Sequence, residues 1–116
     1  LLVGGLTCGV AVKGIDESIK EAEETNKQLV VENYYWEKNQ FGSYDVVGTA
    51  INKSNKNLDY AQIEFNFYDN SGALIGNSFD NINNWGPNQT WKFSVSPLST
   101  DTSKISKTEC KGITSF

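Results

Sequence analysis

The sequence predicts an all-β fold, an antiparallel β-sandwich of six or seven short strands, with a small open barrel as the alternative. Three observations predict it. From Ala61 to Phe67 apolar residues fall at every second position, with Ala61, Ile63, Phe65 and Phe67 on one phase and Gln62, Glu64, Asn66 and Tyr68 on the other. Trp91, Phe93 and Val95 repeat the alternation. A period of two sends alternate side chains to opposite faces of a sheet, so each run is a strand with one apolar face. Turn residues punctuate the runs at short intervals, and no helical period interrupts them.

Each element follows from local composition. Leu29–Glu37 carries the β-formers Leu29, Val30, Val31, Tyr34, Tyr35 and Trp36. After Phe41-Gly42-Ser43, a second strand covers 43–52, and Gly48 within it implies a bulge or close contact with a bulky neighbour. The polar turn at 53–58 leads into the third strand, 59–69. Asp69-Asn70-Ser71-Gly72 reverses the chain into a fourth strand, 73–80. Asp80, Asn81, Asn83 and Asn84 read as a long polar connection, and Trp85-Gly86-Pro87-Asn88 as a turn. The fifth strand spans 89–96, 97–102 is loop, and 105–116 closes the sheet. The expected core is Ile63, Phe65, Phe67, Trp91, Phe93 and Val95, whose burial at about 1.5–3 kcal/mol each can drive folding.

The front of the chain differs. Residues 1–12, LLVGGLTCGVAV, carry no charge and are too few to cross a bilayer, which takes about 20 in a helix. They read as the end of a membrane anchor or signal, as the apolar part of a lipoprotein signal with Cys8 bearing the lipid, or as a buried element of the domain. Thr7, next to Cys8, departs from the small residue that lipoprotein signals place there. Residues 13–28 are rich in both signs of charge, with too thin an apolar stripe to bury much, and read as a partly helical, solvated stalk. The organisation expected is an anchor or signal at 1–12, a stalk at 13–28 and one domain at 29–116.

Composition narrows the chemistry. The 116 residues contain no histidine, which removes Ser-His-Asp and Cys-His machinery and histidine-based zinc sites from the options. The net charge is −4, and all ten basic residues are scattered lysines, a poor match to nucleic acid. The two cysteines, Cys8 and Cys110, have no metal-binding spacing; they either pair or leave Cys110 as a small, half-buried strand residue. No cofactor is expected.

A resemblance then emerges. Phe65-Asn66-Phe67-Tyr68-Asp69 resembles the F-x-L-Y-D motif of the FxLYD domain family, with Phe67 where leucine is usual. Val47-Gly48-Thr49-Ala50-Ile51-Asn52, the run from Trp85 to Phe93, and the closing Gly112-Ile113-Thr114-Ser115-Phe116 fit the same family in order, over about Val30 to Phe116. The resemblance implies a small immunoglobulin-like domain on prokaryotic surface proteins and lipoproteins, with no catalytic residues to carry over. It gives Asp69 and Tyr68 structural roles, in the turn and over a sheet face.

Candidate sites are few. Tyr34, Tyr35 and Trp36 are consecutive, so at least one faces outward; with Trp85 they are the candidate interaction surface, for a protein or a glycan of the cell envelope. Asp69–Gly72 places oxygens near a glycine but lacks the further carboxylates of a calcium loop. Glu32, Glu37, Asp45, Glu64 and Asp69 fall in no motif of paired carboxylates and read as solvated strand faces. Asn52-Lys53-Ser54 and Asn88-Gln89-Thr90 match the glycosylation pattern, and in a prokaryote mark only asparagine-rich turns. The expectation is a non-enzymatic, extracytoplasmic, membrane-tethered binding module; the runner-up is a carbohydrate-binding module using exposed aromatics.

Overall fold

The computed structural model describes residues 24–97 and 100–116. The expected anchor or signal segment, Cys8 and most of the stalk lie outside them. Six strands follow one another: β1 (Leu29–Lys38), β2 (Tyr44–Asn52), β3 (Leu58–Tyr68), β4 (Leu74–Trp85), β5 (Thr90–Val95) and β6 (Lys107–Ser115), with one 3-10 turn at Thr102–Lys104. They form two three-stranded antiparallel sheets, ordered β1-β2-β5 and β4-β3-β6.

The sheets face each other across an aromatic core. Ile63, Phe65, Phe67, Trp91, Phe93 and Val95 are all buried, as their alternation predicts. Phe65 on β3 contacts Tyr34 of β1 edge to face, with centroids 5.1 Å apart, and lies 5.9 Å from Phe93 of β5. Such pairs add about 0.5–1.5 kcal/mol beyond the area they bury. Gly48 lies between these rings. A Cβ there would come within 2.2 Å of the Asn33 carbonyl oxygen and 2.6 Å of Phe93 Cζ, so the missing side chain is the space the ring occupies.

Two hairpin turns share one device. Asp69 Oδ1 accepts from the backbone N–H groups of Ser71 and Ala73 and from the Ser71 hydroxyl, while Gly72 takes φ +87°. Asn39 Oδ1 accepts from the N–H groups of Phe41 and Ser43, while Gly42 takes φ +83°. A short polar side chain mimics a backbone acceptor, and glycine supplies the left-handed conformation. A third tie is Asn52: its Nδ2 donates to the carbonyls of Lys56 and Trp85, and its Oδ1 accepts from Ser54 N–H and Oγ–H.

The chain departs from its sequence pattern in two places. β4 runs on to Trp85, so the asparagines at 81, 83 and 84 belong to a strand and not to a polar connection. Its pairing with β3 continues through Ile63↔Asp80 to Leu58↔Trp85, which outweighs the low strand propensity of asparagine. Domain packing also begins before Leu29. Thr25 and Asn26 are buried, and Asn26 Oδ1 accepts from both the N–H and the hydroxyl of Ser115 on β6.

Candidate functional site

The three consecutive aromatics of β1 are sorted by a bulge. Leu29 and Val31 face the core; the register then shifts between Val31 and Asn33, so that Tyr34 and Trp36 turn inward. Trp36 is half-buried, its ring 5.7 Å from that of Phe67. Tyr35 is left on the outer face with 43% of its surface exposed.

Of the expected interaction surface, then, only Tyr35 stands clear of the core. Tyr34 is buried against Phe65, which corrects its place as a surface residue. Trp85 is corrected likewise: it is 1% exposed, its ring meets Trp91 edge to face at 5.4 Å, and its Nε1–H donates to the Gln89 carbonyl at 2.8 Å. With its polar atom satisfied internally, it is a core residue at the β4–β5 corner.

Around Tyr35 the outer face of β1-β2-β5 forms an open trough of about 490 Å³. Cross-strand register sets its rows: Tyr35 faces Val47, which faces Ser94; Asn33 faces Thr49, which faces Lys92. Small residues therefore floor the trough between an aromatic side and a cationic side. The Thr49 hydroxyl lies 3.2 Å from Glu32 Oε1 and 3.4 Å from Asn33 Oδ1, and has one proton to give to either. At the far end Glu37 sits opposite Asp45, whose Oδ2 accepts from Asn39 and whose Oδ1 is buried without a partner. That end is electronegative and the Lys92 side is positive. The arrangement offers an aromatic plane, a hydroxyl, an amide and both signs of charge on a rigid floor, which suits recognition.

The remaining candidates are dispersed. Glu64 lies on the other sheet, and the Asp69 carboxylate is engaged within its turn. The Ser71 hydroxyl, then the Ala73 N–H, hold Asp69 below the usual carboxylate range. Among the described residues no three His, Cys, Asp or Glu side chains gather where a metal ion would be held, and no helix is long and apolar enough to cross a membrane. Asn52 and Asn88 serve the fold: Asn52 through its side chain, Asn88 through φ +62° and an N–H donated to the Asn52 carbonyl. Cys110 is disulfide-bonded. The only other cysteine of the chain, Cys8, lies outside the described residues.

No protein-family model matches the chain. It is similar to an uncharacterised protein of Methanocaldococcus jannaschii, 29% identical over 118 residues that span 92% of this chain and 87% of that protein. No solved structure matches. The similarity extends over nearly the whole of both chains and brings no activity with it.

Proposed function

We propose that this chain is a non-catalytic recognition module of the cell envelope: an immunoglobulin-like domain of the FxLYD kind, tethered through its N-terminal segment, that binds an envelope protein or ligand on an exposed sheet face. The observation that carries the reading is the trough at Tyr35, an exposed aromatic beside fixed polar groups on a sheet whose other face is packed. Two further features support it. The residues that resemble the family motif divide the labour such a domain needs: Phe65 and Phe67 fill the core, Asn66 and Tyr68 face outward, and Asp69 builds the turn. The disulfide at Cys110 supports an oxidising compartment, since glutathione and thioredoxin keep cytosolic thiols reduced in most organisms.

The test has two arms. Fractionation of source cells should place the protein in the envelope, with Cys110 alkylated under denaturing conditions only after reduction. Purified protein should bind isolated envelope fragments, and Tyr35→Ala should weaken that binding at least tenfold. A cytosolic protein with a free Cys110 thiol would remove the envelope reading, and undiminished binding by the variant would remove the trough. The second reading, carbohydrate binding through exposed aromatics, is favoured by one observation: Phe79, on the opposite sheet, is 53% exposed.

A further inference from the structure

The outer face of β4-β3-β6 differs in chemistry from the trough and lies on the other side of the molecule. Its central strand, β3, points Tyr60, Gln62, Glu64, Asn66 and Tyr68 outward, so an aromatic ring stands at each end of a polar row. At about 3.4 Å per residue that row is about 27 Å long. The neighbouring strand β4 sets Asn77, Phe79, Asn81 and Asn83 alongside, opposite Asn66, Glu64, Gln62 and Tyr60. Five of these nine side chains are amides, each able to offer a donor and an acceptor at once.

The row is already ordered. Asn77 Nδ2 lies 2.6 Å from Glu64 Oε2 and 2.7 Å from Asn66 Oδ1. The Tyr68 hydroxyl donates to Glu109 Oε1 at 2.6 Å, and the Tyr60 hydroxyl to Gln62 Oε1 at 3.0 Å. A ligand meeting these groups has little side-chain freedom left to freeze. Among the described residues Gln62 Nε2 and Asn77 Oδ1 have no protein partner, so the network keeps groups to offer. Beside it are exposed rings: Phe79, and Phe116, 75% exposed with its centroid 5.6 Å from that of Tyr60. Aromatic faces pack against the C–H faces of sugar rings, and amides pair with their hydroxyls.

Charge and shape select the occupant. Glu64 and Glu109 are balanced by Lys107 and Lys111 on β6, so the face neither attracts nor repels a polyelectrolyte strongly. A long, shallow face suits an extended polymer better than a small molecule, which needs a concave pocket. A second copy of the chain is a weaker match, because homodimer interfaces have an apolar centre and this one is made of amides and carboxylates.

We propose that this face binds an extended neutral polysaccharide, with Phe79 and the Tyr60–Phe116 pair stacking on sugar rings and Gln62, Asn66 and Asn77 hydrogen-bonding sugar hydroxyls. The proposal rests on the carbohydrate reading given above, and its site is independent of the Tyr35 trough. Affinity electrophoresis of the whole chain tests it, in gels cast with hydroxyethyl cellulose, galactomannan or dextran, and with polygalacturonate as the anionic comparison. At least one neutral polymer should retard the protein, with affinity reduced at least tenfold in Phe79→Ala and at least threefold in Asn77→Ala, while Tyr35→Ala migrates as wild type. Both variants alter exposed side chains, and the fluorescence of buried Trp85 and Trp91 verifies that they fold. Retardation by none of the neutral polymers, or by polygalacturonate alone, overturns the proposal. So does wild-type affinity in Phe79→Ala, or a dimer in light scattering that Phe79→Ala dissolves. Loss of retardation in Tyr35→Ala alone overturns it too, and assigns the sugar to the trough.

Discussion

Asp80 of β4 closes the open edge of β5: its Oδ2 accepts the backbone N–H of Ser94 at 2.9 Å, while its Oδ1 accepts the N–H of Asn81 at 2.8 Å. β5 is the last strand of its sheet, and an unpaired edge N–H is a template for another chain. Replacing Asp80 with alanine is expected to cost about 1 kcal/mol, the usual worth of such a bond. The same variant should self-associate more with concentration, as read by denaturant unfolding and light scattering.

Phe65 tests the core. It is 0% exposed and touches rings from two strands of the facing sheet. Phe65→Ala should lose about 3–5 kcal/mol in denaturant unfolding, the range for large-to-small changes at fully packed aromatics. Phe65→Asp should leave the domain unfolded at 25 °C, because the site offers no partner for a charge.

Gly48 and Gly72 should respond to alanine for different reasons. At Gly48 the added methyl meets the Asn33 backbone and the Phe93 ring, so β1 must shift. The expected cost is about 1–3 kcal/mol, as for overpacking. At Gly72 space is open but φ is +87°, so strain of about 1 kcal/mol is expected with no change in packing. Side-chain chemical shifts of Phe93 should move in the first variant and stay fixed in the second.

Stability should fall in acid by a route that starts at three carboxylates. Asp69 is held below its ordinary value of 3.8 by the Ser71 hydroxyl and then the Ala73 N–H; Asp101 by the Ser103 hydroxyl and then its N–H; Glu109, from 4.5, by the Tyr68 hydroxyl, with Lys111 and Lys107 adding attraction. A carboxyl that is more acidic in the folded state stabilises the fold above its unfolded value. That contribution is lost as pH falls through the folded one. Denaturation midpoints should therefore decline below about pH 4.5, with the decline shallower in Asp69→Asn.

Much of this was legible from residues 59–69, where alternation, turn chemistry and β-formers all agree. Phe65, Phe67 and Asp69 took their expected places because each signal is local. Gly48 was legible for the same reason, as a gap that a ring must fill. The span of β1 was legible too, but its facing was not, because the bulge after Val31 changes which residue of Tyr34-Tyr35-Trp36 turns out, and a bulge leaves no mark in a run of β-formers. The tail of β4 was hidden as well. Asn81, Asn83 and Asn84 carry turn propensity, and only pairing with β3 makes them a strand. The outer polar face was therefore legible only in part: Gln62, Glu64, Asn66 and Tyr68 showed as the polar phase of β3, but Asn81 and Asn83 of β4 read as a connection.

Because the two sheets are packed core to core, the Tyr35 trough and the asparagine-lined row look out in opposite directions, across a body whose shortest extent is 22 Å. An occupant on one side leaves the other unobstructed. If both proposed sites are occupied, a single copy couples two different ligands, and a substitution that silences one side leaves a one-sided binder.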